Sequence, residues 1–271
     1  MKYRMLVLDL DDTLLTDDLS IGEGDRQAIQ KASELGVCIT IATGRMFKAT
    51  LPYAEQLGIN VPVITYQGAL IKETKTRKNL FHCPIPMDIA REVARDSADK
   101  RLYMQAYIDD DYYVEKYTEH SDMYERISGF KGIEVGRLDK FIDTDVTKLL
   151  IIDDPVNIQK LKDLYKKQFG EILCITTSKP TLLEFTHKDA TKGRAIERLS
   201  KSLDIDRQGI VAIGDSYNDL PMIEYAGLGV AMGNASEDVK KRADYVTHTN
   251  NDNGIAHVIE KFILKEDTSC E

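Results

Sequence analysis

The chain has 271 residues, of which 42% are hydrophobic and 30% are charged, so it is long enough for one large or two smaller domains with a substantial core. Its net charge of -9 argues against nucleic acid or an anionic membrane surface as a partner. No apolar run approaches the ~20 residues that span a bilayer, and acids interrupt the N-terminal run too early for a signal peptide. The four cysteines lack metal-binding spacing. We therefore predict a cytoplasmic protein with reduced thiols.

The N-terminal part alternates short apolar runs with helical patterns. The predicted strands and helices are, in chain order, strand 4–9, helix 23–35, strand 37–43, helix 46–57 and strand 61–66. Pro52 weakens the second helical pattern. Strands that alternate with helices predict a parallel sheet with helices on both faces.

The middle of the chain, 84–186, has a different order of predicted strands and helices. It contains two pairs of adjacent β-rich runs, 102–108 with 112–117 and 172–178 with 181–186. A further strand at 146–153 and helices at 87–98 and 158–169 complete the pattern. Back-to-back strands form hairpins, so this segment predicts an antiparallel or mixed sheet.

In the C-terminal part, predicted strands and helices alternate again, as in the N-terminal part. The predicted elements are helix 191–203, strand 209–215, helix 220–226, strand 227–232, strand 245–248 and helix 255–264. We therefore predict an α/β protein with a Rossmann-like parallel-sheet core domain, 1–83 with 187–271, interrupted by a second α/β domain at 84–186.

Acidic residues end two of the predicted parallel strands. Asp9 and Asp11 follow the first strand and project the same way, because strand side chains alternate. Asp215 ends a later strand, and Asp219 follows one helical turn further on. Ligands of parallel α/β sheets lie beyond the carboxyl ends of the strands, so these acids predict a shared crevice. Oxygen ligands of this kind suit Mg²⁺.

Groups that bind phosphate stand near the same edge. In ATGR (42–45), Thr43 offers a hydroxyl and Gly44 allows close approach of the backbone. Lys192 begins the helix after the middle segment and can supply a positive charge. Lys192 taken alone reads as an ordinary solvated lysine.

These segments resemble the four ordered motifs of the haloacid dehalogenase superfamily. DLDDT (9–13) matches the first motif, Thr43 the second, Lys192 the third and GDSYND (214–219) the fourth. The middle segment resembles the type IIB α/β cap of the Cof-like phosphatases, and 182–193 and 229–247 also follow that subfamily. The resemblance covers essentially the whole chain.

The resemblance implies the roles of individual residues. Asp9 would be the nucleophile, and Asp11 the general acid and then the general base. Mg²⁺ would be held by the Asp9 side chain, the Asp11 backbone carbonyl and Asp215. Asp219 would orient ligands or water. The phosphate would be bound by the Leu10 backbone, Thr43, Gly44, Lys192 and Asn218.

Two positions depart from the family pattern, and one motif is discounted. Asp12 stands where Gly is frequent, and we interpret it as a turn or helix-start residue. Gln67 replaces an Asn, which puts any substrate contact at that position in doubt. The acidic run in 107–114 looks like a metal loop, but we interpret it as a hairpin turn.

The expected activity is Mg²⁺-dependent hydrolysis of a small phosphoester, such as a sugar phosphate or a cofactor phosphate, through an aspartyl-phosphate. A phosphomutase would use the same intermediate and return the phosphoryl group to its substrate. A phosphoaspartate signalling switch is an alternative of another class, although it would need no second domain. The sequence does not indicate an oligomeric partner.

Overall fold

The computed structural model describes residues 2–59 and 61–264, so Cys270 lies outside the described residues. The strands described are β1 (Met5–Leu8), β2 (Cys38–Ile41), β3 (Val63–Thr65), β4 (Leu70–Lys72), β5 (Asn79–His82), β6 (Tyr103–Ile108), β7 (Asp111–Val114), β8 (Ile133–Glu134), β9 (Lys148–Ile152), β10 (Leu173–Thr177), β11 (Leu182–His187), β12 (Ile210–Gly214), β13 (Leu228–Ala231) and β14 (Tyr245–Val246). The helices are α1 (Glu23–Glu34), α2 (Phe47–Gln56), α3 (Met87–Asp99), α4 (Glu119–Ser128), α5 (Leu138–Phe141), α6 (Pro155–Phe169), α7 (Lys192–Ser202), α8 (Leu220–Tyr225), α9 (Glu237–Lys240) and α10 (Gly254–Ile259). No helix within these ranges is long and apolar enough to cross a bilayer.

Five strands form a parallel sheet in the order β14-β13-β12-β1-β2. Both faces of β1 are covered: Leu6 and Leu8 pack in one apolar cluster, which includes residues of α1 and α10. Met5 and Val7 pack in another cluster, which includes residues of α7 and α8. A strand buried on both faces reads as a continuous apolar run, which is why the strand pattern was visible in the sequence. The predicted α/β class with a parallel-sheet core is confirmed.

The third predicted strand joins the parallel sheet only weakly. β3 pairs antiparallel with β4, in a small sheet of order β3-β4-β5. A single parallel bridge between Ala42 and Ile64 connects it to the main sheet. The chain reverses at Tyr66 and Gln67, which have φ values of 53° and 60°. This left-handed turn has no strong sequence signal, and neither β4 nor β5 was predicted.

The middle segment contains a six-stranded sheet of order β10-β11-β9-β6-β7-β8. Its pairings are antiparallel except for β7 with β8, and both expected hairpins are present. The discounted acidic run is a hairpin turn, because Asp109 and Asp110 have φ values of 51° and 67° between β6 and β7. Helices α4 and α5 were not predicted. The domain boundaries at 84 and 186 stay a prediction.

The two faces of the six-stranded sheet have different neighbours. Leu149 and Ile151 of β9 pack in a cluster that includes residues of α3 and α6. Leu150 and Ile152 pack in the cluster that also contains Leu10, next to β1. Because side chains alternate along a strand, Lys148 points to the same side as Leu150. This face of the sheet therefore lies toward the carboxyl end of β1.

The hairpin tip between β6 and β7 contacts the start of α2. The Asp110 carboxylate accepts hydrogen bonds from the backbone N–H groups of Phe47 and Lys48, at 2.8 and 2.9 Å. It also accepts one from the Tyr66 hydroxyl, at 2.7 Å. Lys48 forms an ion pair with Asp111 in the same hairpin. A carboxylate at a helix N-terminus is favourable, because the first N–H groups of the helix lack partners within the helix.

Candidate active site

Acidic side chains meet where β1 and β12 end. The two strands are neighbours in register, with Leu8 opposite Ile213, so Asp9 and Asp215 leave the sheet side by side. Oxygen atoms of Asp9, Asp215 and Asp219 lie within 4.8 Å of one another. The strand-end argument thus correctly brought these three residues together. Asp12 has a left-handed φ of 57°, as a turn residue would, in the tight coil Leu10–Leu14 that follows.

Lys192 is buried among these acids. Its Nζ lies 2.5 Å from Asp9 Oδ1 and 2.5 Å from Asp219 Oδ1, and the residue is 1% exposed. Burial lowers the pKa of Lys192, but the Asp219 and Asp9 carboxylates outweigh this effect and raise it above its ordinary value. The ammonium therefore stays charged. The solvated-lysine interpretation is wrong at this position.

The negative charge of the three carboxylates nevertheless exceeds the positive charge of Lys192 beside them. Burial and the neighbouring Asp219 raise the pKa of Asp9, although Lys192 opposes the shift. Burial and Asp219 also raise the pKa of Asp215 to about 7, even though Thr13 donates a 2.9 Å hydrogen bond to it. Three carboxylates face one ammonium, which leaves two negative charges uncompensated. Buried oxygen donors with this imbalance fit a divalent cation such as Mg²⁺.

Asp219 uses both carboxylate oxygens within the protein. Oδ1 accepts from Lys192, and Oδ2 accepts from the backbone N–H groups of Asp215 and Ser216, at 3.1 and 3.0 Å. Asp219 thereby fixes the loop that carries Asp215. This placement agrees with its predicted orienting role.

Asp11 lies outside the acidic group and pairs with Arg45. The guanidinium donates two hydrogen bonds, from Nε at 2.9 Å and from a terminal nitrogen at 2.6 Å. Burial raises the pKa of Asp11, but the hydrogen bonds and charge of Arg45 bring it below its ordinary value. Nothing in the local sequence marks Arg45 as a partner of Asp11, although it ends the ATGR motif. A bidentate partner for Asp11 depends on tertiary placement and has no local sequence signal.

The residues predicted to bind phosphate differ in burial and in their contacts within the protein. Thr43 is buried, and its Oγ1 accepts from the Arg45 backbone N–H at 3.1 Å. Leu10 is fully buried, so the contact of its backbone with phosphate stays a prediction. At Gly44, a Cβ would clash with the amide of Gln67. The glycine at this position therefore makes room for Gln67, which is a need that the sequence did not reveal.

The opposite wall of the site carries a buried ion pair. Lys148 Nζ donates to the Gly44 carbonyl at 2.9 Å and lies 3.7 Å from Glu184. Glu184 also accepts from Gln67 at 2.9 Å and from Ser178. The sequence analysis does not name these residues as part of the site. A lone charged residue within an apolar strand, such as Lys148 or Glu184, is nevertheless a signal that the side chain has a buried partner. A cavity of about 70 Å³ lies between the two walls.

Asn218 lines this cavity, but its amide is already engaged. Its Nδ2 donates to Gln67 Oε1 at 3.0 Å. Its Oδ1 is buried and has no hydrogen-bond partner within the described part of the chain. The family resemblance implies that Asn218 binds phosphate, and this role stays a prediction, because its NH₂ group has a second hydrogen beyond the one donated to Gln67.

Comparison with known proteins gives matches over nearly the full chain. Phosphatase YwpJ of Bacillus subtilis is 30% identical over 96% of this chain and 100% of its own length. The 5-amino-6-(5-phospho-D-ribitylamino)uracil phosphatase YitU of the same organism is 28% identical over 96% of this chain and 98% of its own.

A solved structure and a family model agree with these relatives. The structure of the subclass IIB sugar phosphatase BT4131 superposes with a TM-score of 0.86 at 23% identity, covering 96% of this chain and 98% of that one, and so shows the same fold. The model of the haloacid dehalogenase-like hydrolases matches residues 6–259. The family resemblance predicted from the four motifs is confirmed, and the chain belongs to the haloacid dehalogenase-like hydrolases as a hydrolase of phosphoric monoesters.

Proposed function

We propose that the chain hydrolyses a small phosphorylated metabolite through an aspartyl-phosphate formed on Asp9, with Mg²⁺ bound beside it. The observation that carries this proposal is the placement of Asp9 between a buried ammonium and two further carboxylates, at the edge of a cavity. A carboxylate held in this way has one oxygen on Lys192 and the other available for reaction. Covalent catalysis by a carboxylate requires such positioning and nearby positive charge.

The donor set supports Mg²⁺ as the cation. The Asp9 and Asp215 carboxylates and the Asp11 backbone carbonyl would hold it, with Asp219 orienting Asp215 through the loop N–H groups. The bound cation would supply positive charge that offsets the repulsion between Asp9 and a phosphate dianion. Lys192 would add a second positive charge beside the same oxygens.

The chemistry divides into two steps. In the first, an Asp9 oxygen forms a bond to phosphorus, the bond to the leaving-group oxygen breaks, and that oxygen takes a proton from Asp11. In the second, Asp11, now a carboxylate, takes a proton from water as the water oxygen bonds to phosphorus and the Asp9–phosphorus bond breaks. Arg45 stabilises the carboxylate form of Asp11, which is the form that the second step requires, so Asp11 must leave Arg45 and take up a proton before it can act as the acid of the first step.

The segment 84–186 would select the substrate as a cap. Its side of the cavity contributes Tyr124, Ile127 and Leu182, which are apolar, next to the polar Lys148 and Glu184. A mixed wall of this kind suits a leaving group with both hydroxyl groups and a hydrocarbon face. A sugar phosphate or a cofactor phosphate has this character, and the relative YitU is named for a ribityl phosphate.

The variant Asp11→Asn tests the mechanism. It keeps the backbone carbonyl but removes the proton donor and acceptor, so sugar phosphate hydrolysis should fall about 10²–10⁴-fold. An aryl phosphate departs without protonation, so this variant should accumulate phosphorylated Asp9. The measurements are a burst of phenol and a mass increase of one phosphoryl group. Asp9→Asn should show neither signal.

Wild-type rates with Asp11→Asn would contradict the acid–base assignment. Analysis of the product separates hydrolysis from phosphomutase activity, because a mutase returns an isomer of its substrate and releases no phosphate. Stoichiometric labelling of the wild-type protein without turnover would instead indicate a signalling switch.

A further inference from the structure

We infer that Lys148 of β9 is a positioning residue for the loop 43–45, and that it acts on this loop from the opposite wall of the cavity. Its side chain holds the peptide group between Gly44 and Arg45, and this peptide in turn holds the Thr43 hydroxyl so that the hydroxyl hydrogen is left for a ligand. The inference rests on the proposed function, because it concerns the loop that would meet the phosphate.

The Lys148 side chain is buried on an apolar face of its strand. The residue is 2% exposed, and the next residues on the same face, Leu150 and Ile152, belong to an apolar cluster. Burying an ammonium group is costly unless other groups compensate it. An apolar side chain would therefore suffice at this position if packing were its only task, so the polar end of Lys148 indicates a further one.

Three groups surround the Nζ atom of Lys148. Nζ donates a hydrogen bond to the Gly44 carbonyl at 2.9 Å, and the Glu184 carboxylate lies 3.7 Å away. The centre of the Tyr107 ring lies 4.6 Å from Nζ, which is a favourable cation–π distance. Tyr107 is itself fully buried, and its hydroxyl donates to Gln105 at 2.6 Å. Because these neighbours are fixed by their own contacts, Lys148 presents a donor to Gly44 at a fixed position.

The loop needs this donor for one of its three carbonyl groups. The carbonyls of Thr43 and Arg45 accept from backbone N–H groups of the turn at 66–67, at 3.0 Å each. The carbonyl between them, on Gly44, accepts from Lys148 of the other sheet. A glycine has more backbone freedom than any other residue, so its peptide group can turn when it lacks a partner. Lys148 therefore anchors the part of the loop that is least restricted by the chain itself.

The anchored peptide carries the Thr43 hydroxyl with it. A peptide group is planar, so the Gly44 carbonyl and the Arg45 N–H lie at opposite edges of one plane. This N–H donates to Thr43 Oγ1 at 3.1 Å, so the hydroxyl oxygen acts there as an acceptor. That contact does not use the hydroxyl hydrogen, and Thr43 lines the cavity. Holding the carbonyl edge of the peptide therefore holds an O–H donor at the cavity.

The test is a double-mutant cycle on the full chain with Mg²⁺ present, measured as kcat/KM for p-nitrophenyl phosphate. Lys148→Met keeps an unbranched apolar stem but removes the donor to Gly44, so kcat/KM should fall about tenfold. Thr43→Val keeps the shape of the side chain and removes the hydroxyl, so kcat/KM should fall about 10- to 100-fold. If Lys148 acts through this hydroxyl, the double variant should lie within about twofold of Thr43→Val.

Two results would overturn the inference. Losses that multiply in the double variant would show that Lys148 acts independently of Thr43, through a direct phosphate contact or through general stability of the fold. An unchanged kcat/KM in Lys148→Met would show that the loop does not need the donor. The p-nitrophenyl group has no hydroxyl, so a lysine that contacts only hydroxyl groups of the leaving group gives this second result.

Lys162→Met is the matched control. Lys162 is a half-buried lysine of α6 that donates to Thr177 Oγ1 at 3.3 Å, outside the cavity. Its loss removes a lysine donor from the neighbourhood of the same six-stranded sheet without touching the loop 43–45. The kcat/KM of this variant should stay within about twofold of the wild type.

A second set of variants covers the case in which Lys148→Met fails to fold because Glu184 is left without its cation. Glu184→Gln removes that carboxylate charge and leaves the hydrogen bond from Lys148 to Gly44 in place. Adding Lys148→Met to Glu184→Gln should still lower kcat/KM about tenfold, and this further loss should disappear in the presence of Thr43→Val. No further loss on adding Lys148→Met, or a loss that persists with Thr43→Val, would overturn the inference.

The outcomes separate this inference from the proposed function. If the wild-type protein hydrolyses p-nitrophenyl phosphate and the variants give either contrary result, only the role of Lys148 fails. If the wild-type protein with Mg²⁺ neither hydrolyses p-nitrophenyl phosphate nor becomes phosphorylated on Asp9, the proposed function fails and this inference fails with it.

Discussion

The two walls of the cavity both bury charged groups, but they balance them differently. At the edge of the parallel sheet, Asp9, Asp215 and Asp219 face the single ammonium of Lys192. On the six-stranded sheet, Lys148 faces Glu184, one charge against one, and each group has further hydrogen bonds.

The difference indicates what each wall is built to do. Excess negative charge is costly to bury, and it persists where a cation or a reaction compensates it. A balanced pair with satisfied hydrogen bonds needs no ligand, and it holds neighbouring groups in one arrangement. Under the proposed function, the first wall supplies the chemistry, and the second holds neighbouring groups in place.

The largest effect should come from removing the ammonium of Lys192, which faces the three carboxylates of the first wall. Lys192→Met leaves the three carboxylates without an ammonium, and we expect the rate of phosphoester hydrolysis to fall about 10²–10³-fold. Steady-state kinetics with an aryl phosphate measure this. Lys201→Met is the matched control on the same helix, because Lys201 is exposed and forms a surface ion pair with Glu197, so the rate of this variant should match the wild type. An equal loss of hydrolysis rate in Lys192→Met and Lys201→Met would show that the charge of Lys192 has no special role in the first wall.

Cation binding should stabilise the first wall in a pH-dependent way. Without metal, the pKa of Asp215 in the folded protein is about 7, above its ordinary value of 3.8, so the free energy of unfolding falls as pH rises through that interval. Mg²⁺ at about 100 times its dissociation constant should raise the melting temperature by roughly 5–10 °C at pH 8. At pH 5 the proton competes with the cation, and the increase should be less than about half as large. Calorimetry with chelator and with Mg²⁺ checks this, and equal shifts at both pH values would contradict it.

The junction of the two walls can be disturbed at Gly44. Gly44→Ala places a Cβ against the Gln67 amide, so activity should fall about tenfold and stability by about 1–3 kcal/mol. In a Gln67→Ala background the space is free, and the added methyl should cost little further activity or stability. Activity and thermal unfolding are measured for the wild type, the two single variants and the double variant, as a double-mutant cycle. The same loss in both backgrounds would show that the methyl meets the phosphate instead.

The smallest effect should come from the contact between the hairpin tip and α2. Asp110→Asn replaces one of the two oxygens that accept from the Phe47 and Lys48 N–H groups with an NH₂ group, which should cost about 1 kcal/mol of stability. Chemical denaturation measures this loss. Asp109→Asn changes the neighbouring exposed residue of the same turn and should stay within about 0.5 kcal/mol of the wild type. An Asp110→Asn variant as stable as the wild type would show that these hydrogen bonds contribute nothing to stability.

The features predicted correctly from the sequence are the buried parallel strands and the acidic residues at their carboxyl ends. β1 and β12 are apolar runs followed by acids, so the meeting of Asp9 with Asp215 followed from topology alone. Lys192 was placed by the family motifs, and its burial between two carboxylates could not be read from its neighbours in the chain.

What escaped prediction depends on pairings between distant segments. Arg45 with Asp11, and Gln67 with Glu184, are set by side-chain length and by how two sheets meet, for which one sequence carries no pattern. The acidic hairpin was correctly interpreted as a turn, but its contact with α2 is a tertiary feature that turn chemistry does not encode. At the start of helix α4, the Ser121 hydroxyl accepts a hydrogen bond from the Thr118 backbone N–H at 3.0 Å, which is one local contact of the capping kind.

The position of β1 in its sheet has a consequence for how the protein folds. β1 lies between β2, about 30 residues away, and β12, about 200 residues away, and the Asp9–Lys192 pair spans 183 positions. Contacts over such separations are entropically costly to close and slow to form. The acids at the ends of β1 and β12 can therefore come together only when β12 has paired with β1, and we expect this pairing to follow the formation of the local hairpins.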